Sequence, residues 1–221
     1  MIYLLISTII LTVILFIIYV KGKTKISEEF IPKLNISSDN ISICKEMLKI
    51  IGNNHTAVEN NRDEKSNLSY YNHKKDVIIL KVDSSGSSRI TQIAHECIHT
   101  IQKKTFLKAN NLFSNLQIIY FLISLIYIIC NEEYELLLLA IELLILVGVV
   151  FVKVVIEGDA SYRSVNLAKQ YLQDKINEKE IEIYIKETSK LIYELMPVYY
   201  FNFFSQGIAM IIINIIIALM M

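Results

Sequence analysis

The sequence predicts a mainly α-helical membrane protein, with four transmembrane helices and one small α+β domain assembled from two separate stretches of chain. Three observations carry that prediction. Four apolar runs are each long enough to cross a bilayer. The polar stretches between them, residues 21–111 and 157–197, total about 130 residues, enough for one compact core. Within the first polar stretch, a short β-branched run is followed by an apolar stripe of helical period.

The first run, Met1 to Val20, has no charged side chain and is followed by Lys21, Lys23 and Lys25. It lacks the basic start and small-residue cleavage site of a signal peptide, so it reads as an uncleaved anchor. The second span runs from Leu112 to Cys130, the third from Leu136 to Ile156, and the fourth from Val198 to Met221. Between the second and third lies Asn131–Glu135 (NEEYE), a tight turn with no Lys or Arg. All Lys and Arg fall between Lys21 and Lys190. The positive-inside rule therefore puts Lys21–Ala109 and Glu157–Met196 in the cytoplasm and both termini outside.

Aromatic residues (Tyr193, Tyr199, Tyr200, Phe201, Phe203 and Phe204) form a belt at the inner end of the fourth span. Pro197 stands where a helix can start without losing a needed donor. Two charges interrupt the third span. Lys153 is close enough to the inner end to snorkel to the interface. Glu142 lies nearly two turns inside the outer end and reads as an acid reaching that interface, a polar contact between helices, or a functional group.

Composition narrows the class further. The chain is 53% hydrophobic, too apolar for an ordinary soluble domain, and its 22 basic residues balance 22 acidic ones. Nothing in that balance suggests a nucleic-acid partner. Abundant Ile, Asn and Lys reflect A/T-rich bacterial coding. Cys44, Cys97 and Cys130 have no CxxC spacing and argue against a disulfide framework.

In the first polar stretch, Gly52 to Asn72 reads as surface loop or a short helix with long ends, with His55 and His73 as solvated loop residues. DVIILKV, Asp76 to Val82, reads as a strand, and DSSGSS after it as a turn. From about Ser87 the period changes. Ile90, Ile93, Ala94, Cys97, Ile98 and Ile101 form one helical face, with Ser87 or Ser88 as its cap.

That helix carries AHECIHTIQ, residues 94 to 102. His95 and His99 lie one turn apart, about 40° around the axis, opposite the apolar stripe, with Gln102 a turn further along. Two imidazoles at this spacing give two legs of a zinc tetrahedron from one rigid element. Glu96, on the flank, can act as general base for a water activated by the metal. Cys97 points about 160° from His99 and belongs to the core face.

A catalytic zinc with two histidines needs a third protein ligand, often a carboxylate. Glu132, Glu133 and Glu135 lie across the bilayer in this topology. In the cytoplasmic stretches after the motif, the first acids are Glu157 and Asp159, in VIEGDASYRSVNLAKQYL. Either is a candidate ligand; Asp159 otherwise suits an acceptor that holds a histidine Nδ1–H.

HECIHTIQ, followed after a two-span hairpin by EGDASYRSVNLA, resembles the membrane-bound neutral zinc metallopeptidases of the YugP type. Those proteins have HEVGHAIQ and then E-F-D-A-S-x-R-A. The resemblance extends over nearly the whole chain. Glu157-x-x-Ala160 is more distantly similar to the gluzincin peptidases related to the CAAX prenyl protease and HtpX proteins. It implies a zincin-like domain with His95, His99 and Glu157 as ligands of one Zn²⁺ per chain and Glu96 as general base. Arg163 matches the family's Arg and would stabilise an oxyanion or pair with Asp159. Ile98 replaces the family's Gly before the second histidine. The resemblance also gives Asp76–Val82 the role of a short edge strand beside the metal, binding extended substrate by β-addition, with Tyr70, Tyr71 and Asn72 just upstream as either substrate-side contacts or structural residues.

The function expected is a zinc endopeptidase in the membrane of a bacterial cell, its active site facing the cytoplasm and its partners the lipid bilayer and peptide or protein substrates near it. The alternatives are a zinc-binding membrane scaffold or assembly protein without proteolysis, and a membrane protein in which HExxH is coincidental.

Overall fold

The computed structural model describes residues 2–25, 34, 36–61, 69–81, 88–130 and 134–220, without the side chains of 21–25, 195, 197–199 and 202. In chain order the elements are α1 (Ile2–Lys25), α2 (Asn40–Ile50), β1 (Ala57–Asn60), β2 (Tyr70–Asn72), β3 (Val77–Leu80), α3 (Arg89–Ile101), α4 (Lys104–Cys130), α5 (Glu135–Leu172) and α6 (Glu178–Met220). The chain is mainly helical, and four of its helices are long and apolar enough to cross a membrane. It divides into two compact units: Met1–Lys25, Thr105–Val155 and Glu194–Met221 in one, Ile26–Lys104 and Ile156–Tyr193 in the other.

In the first unit, the apolar parts of α5 and α6 bury Leu139, Leu146, Val150, Ile208, Ile211 and Ile215 as a core, with Leu5 and Leu15 of α1 packed against it. Most other apolar side chains, including nearly all of α1, are exposed. A helix that is apolar all round and yet uncovered suits hydrocarbon as its solvent. Glu142 is an interhelix contact, 1% exposed, and does not reach out to an interface. Lys153 sets its Nζ 4.3 Å over the Phe203 ring. From the expected aromatic belt, Phe201 packs at a tilt against Tyr19 of α1, with ring centroids 4.9 Å apart.

α6 corrects one expectation. It runs unbroken from Glu178 to Met220, so Pro197 lies inside a helix and does not begin one. Proline removes one intrahelical donor but keeps a helical φ, and in the apolar run that follows the other backbone groups are satisfied only by continuing the helix.

The second unit is built around α2, the sheet and α3. α2 is N-capped by Asp39, whose carboxylate accepts from Ser42 N–H at 3.0 Å. It buries Ile43, Cys44, Met47 and Leu48. It stops at Gly52, whose φ of 75° suits the left-handed position; Asn53 N–H to Leu48 C=O and Gly52 N–H to Lys49 C=O close a Schellman motif.

Three strands follow in the order β1-β3-β2, with β1 parallel and β2 antiparallel to β3. β1 and β2 lie in the stretch expected as loop. The buried Val77, Ile78 and Leu80 show why β3 is the central strand and not the edge expected of it: apolar on both faces, it needs cover on both sides. The edges are the more exposed β1 and β2. Asp76 sits in the turn before β3 with φ 51°, a conformation Asp tolerates better than most residues. Its Oδ1 accepts from Thr56 Oγ1 and from Tyr71 OH, each at 2.8 Å.

α3 buries Ile90, Ile93, Ala94, Cys97 and Ile98, five of the six residues of the expected stripe. Ser88 occupies the N-cap position but makes no capping bond; its Oγ accepts from Gln92 instead. Tyr184 of α6 does the capping. Its hydroxyl, fully buried, accepts from Thr91 N–H at 3.3 Å. The Ser87 cap, Val82, the DSSGSS turn up to residue 87 and residues 131–133 of the expected NEEYE turn lie outside the described residues.

Burial works to raise the Asp76 carboxyl, but the hydrogen bonds from Tyr71 and Thr56 outweigh it and hold the group below the usual Asp range. A carboxyl depressed on folding stabilises above its unfolded pKa and loses that contribution as pH falls through the folded value. Asp76→Asn, which keeps a residue tolerant of positive φ, is expected to melt several degrees below wild type at neutral pH. The gap should close in acid, as followed by circular dichroism of the detergent-solubilised chain.

A candidate metal centre on α3 and α5

His95 and His99 lie on successive turns of α3, and Glu157 lies on the part of α5 within the same unit. His95 Nε2 is 3.0 Å from His99 Nε2 and 3.2 Å from Glu157 Oε2; His99 Nε2 is 3.7 Å from Glu157 Oε2. Donor atoms around a tetrahedral zinc, with bonds near 2.0–2.1 Å, stand about 3.3 Å apart. The triangle is therefore metal-sized. Among the described residues this trio can hold a metal ion, all three ligand atoms lying within 4.8 Å of one another. Its donor set, two imidazoles and a carboxylate, fits zinc.

The orientation of His99 follows from one amide. Gln102, the C-cap of α3, leaves the helix with extended backbone, φ −68° and ψ 152°. Its Nε2 donates to Ile156 O at 2.7 Å and to Asp159 Oδ2 at 2.9 Å. Its NH₂ is thus committed to two oxygens, and its Oε1 faces His99 Nδ1 at 2.9 Å. An acceptor there requires Nδ1–H, which leaves the Nε2 lone pair aimed at the centre. For His95, Ser161 Oγ lies 3.5 Å from Nδ1. The two rings meet edge to face, with centroids 4.7 Å apart.

Asp159 thus acts on His99 through Gln102 and does not bond a histidine itself; its Oδ2 also pairs with Arg163 at 3.5 Å. Arg163 and Asp159 are both exposed there. Ile98, where the resembling family has Gly, is 2% exposed and packs into the core. Cys97 is buried with its Sγ 3.5 Å from Cys44 Sγ, a pairing that no spacing in the sequence announced. The His55 ring is largely exposed, 3.7 Å from Asp76.

Glu96 stands on the flank of α3. Burial pushes its carboxyl up to about 7; the His95 charge opposes that, the Glu157 carboxylate adds to it, and the Tyr71 backbone N–H opposes it by hydrogen bonding. That N–H belongs to β2, so the strand beside Glu96 is the edge strand β2. Burial and the neighbouring His95 hold His99 below the ordinary histidine value, which favours the neutral, ligating form.

The sequence reading missed Ser161 as a partner of His95 and the role of the Tyr71 main chain. Ser161 was findable: four residues beyond Glu157, it shares that face of α5. The Tyr71 contact was not, since a main-chain donor leaves no mark on the sequence. Comparison of the chain with protein-family models, curated proteins and solved structures finds no match.

Removing a group that orients a ligand costs metal affinity about 10–100-fold. Gln102→Ala is expected to weaken divalent-metal binding by that factor, and Asp159→Asn by less, because Ile156 O still holds the amide. Competition against a chromophoric chelator measures both.

Proposed function

We propose that the protein is a membrane-anchored zinc-dependent endopeptidase. The observation that carries this is the convergence of His95, His99 and Glu157 at metal-ligand distances, with Glu96 directly beside them. A zinc ion bound there would be held by His95, His99 and Glu157 and would supply Lewis acidity toward a peptide carbonyl and a water. Glu96, on the flank of that centre, is the group placed to take a proton from water and deliver it to the leaving amine. Gln102 and Ser161 keep the imidazoles turned toward the centre. The edge position of β2 next to Glu96 supports an extended peptide lying there, with the Tyr71 N–H already taken by Glu96, a role moved from β3 now that β3 is central.

The distribution of Lys and Arg supports a cytoplasmic site and external termini. Glu157 directly follows the apolar run of α5 in sequence, which supports substrates that lie close to the bilayer.

Glu96→Gln tests the reading. In the full-length detergent-purified chain it should keep bound zinc while cleavage of an unfolded protein substrate falls about 10²–10⁴-fold, the usual worth of a general base. Cleavage that survives either Glu96→Gln or chelation would overturn it. A wild type that binds zinc yet cleaves nothing would put the non-proteolytic scaffold in its place.

A further inference from the structure

We propose that Ser124, Glu142 and Asn214 form a buried site for one small monocation, a proton or an alkali-metal ion, within the apolar unit. The residues come from α4, α5 and α6 respectively, and all belong to that unit. Ser124 and Asn214 are 0% exposed and Glu142 is 1% exposed.

The hydrogen bonds leave a specific deficit. Asn214 Nδ2 donates to Ser124 Oγ at 2.9 Å and to Glu142 Oε2 at 2.8 Å. The Ser124 hydroxyl donates to Phe121 O at 3.0 Å. Glu142 Oε1 and Asn214 Oδ1, both acceptors, have no hydrogen-bond partner among the described residues. Turning the amide over would set Asn214 Oδ1 against Glu142 Oε2, again two acceptors face to face. In either orientation the cluster lacks one positive group.

Among the described residues, the surroundings do not supply it. From α4, Tyr120 faces the cluster, but its hydroxyl donates to Leu138 O at 3.2 Å. On α5, Lys153 is about three turns away, over Phe203. α6 has no charged residue from Phe203 to Met220, and α1 none from Ile2 to Val20. The unpaired Gln117 Nε2 lies about two turns back along α4. An anion enclosed in this way is costly unless neutralised. The ligand must be small, positive and free of acceptors: a proton on Glu142, or an alkali ion held by the oxygens of Glu142, Asn214 and Ser124. Either joins three helices through one charge.

The test uses the full chain in detergent, wild type beside Glu142→Gln and Glu142→Asp. Melting temperature is read in sodium, lithium, potassium and choline chloride at fixed ionic strength, and infrared spectra are searched for a protonated carboxylic-acid carbonyl. An alkali ion predicts a saturable, ion-selective rise in melting temperature that Glu142→Gln abolishes. A proton predicts no ion selectivity, but a carboxylic-acid band that disappears in Glu142→Gln and shifts in Glu142→Asp. If Glu142→Gln does not fold, the wild-type ion titration and the Glu142→Asp band shift decide the same question. Absence of both ion selectivity and a band assignable to Glu142 overturns the proposal.

Discussion

The side-chain amide of Gln102 is committed at both ends, and the geometry of the candidate metal centre depends on it. Its NH₂ is fixed by Ile156 O and Asp159, both from α5, and its oxygen therefore receives the His99 Nδ1–H. One residue in this way joins the end of α3 to the stretch of α5 that begins with Glu157. It sets the imidazole tautomer and the approach of the third ligand together. The helix ends at Ile101, and Gln102 makes these bonds from an extended C-cap.

The rest of the second unit holds α3 still. Tyr184 satisfies a first-turn donor, Thr91 N–H. Buried Asn53 donates to Thr100 Oγ1 and to Thr56 Oγ1, each at 2.8 Å, and Thr56 in turn donates to Asp76. This places the last turn of α3 and the start of β3 on one hydrogen-bonded chain, next to the strand whose Tyr71 N–H meets Glu96. Supporting groups that are buried and satisfied fix ligand rotamers far better than exposed ion pairs do. The two polar clusters of the protein share one chemical property. In each, a carboxylate lies among polar side chains with acceptor atoms short of protons: the ligand atoms of His95, His99 and Glu157 lie close together, and Glu142 Oε1 and Asn214 Oδ1 have no hydrogen-bond partner among the described residues. Such clusters favour cations.

Much of this was legible in the sequence because it follows from periodicity. The α3 stripe, the HExxH spacing and the four apolar runs are all local patterns with one physical cause each. The strand at Val77–Leu80 was legible as a strand but not as a central one, since its neighbours β1 and β2 are too short and polar to announce themselves. Pro197 misled because a proline that opens a helix and one carried inside a long helix look alike in sequence. The Tyr184 cap and the Cys44–Cys97 pair are tertiary, made by residues 93 and 53 positions apart, and no window of sequence contains them.

X-ray absorption at the zinc edge of the purified full-length protein tests the central claim most directly, alongside its zinc content. One zinc per chain is predicted, with two imidazole nitrogens and a carboxylate oxygen among its nearest neighbours, and Glu157→Gln should lose most of that zinc. A shell containing sulfur would move the metal to the buried Cys44 and Cys97 and contradict the account. Failure to bind zinc after reconstitution would do the same.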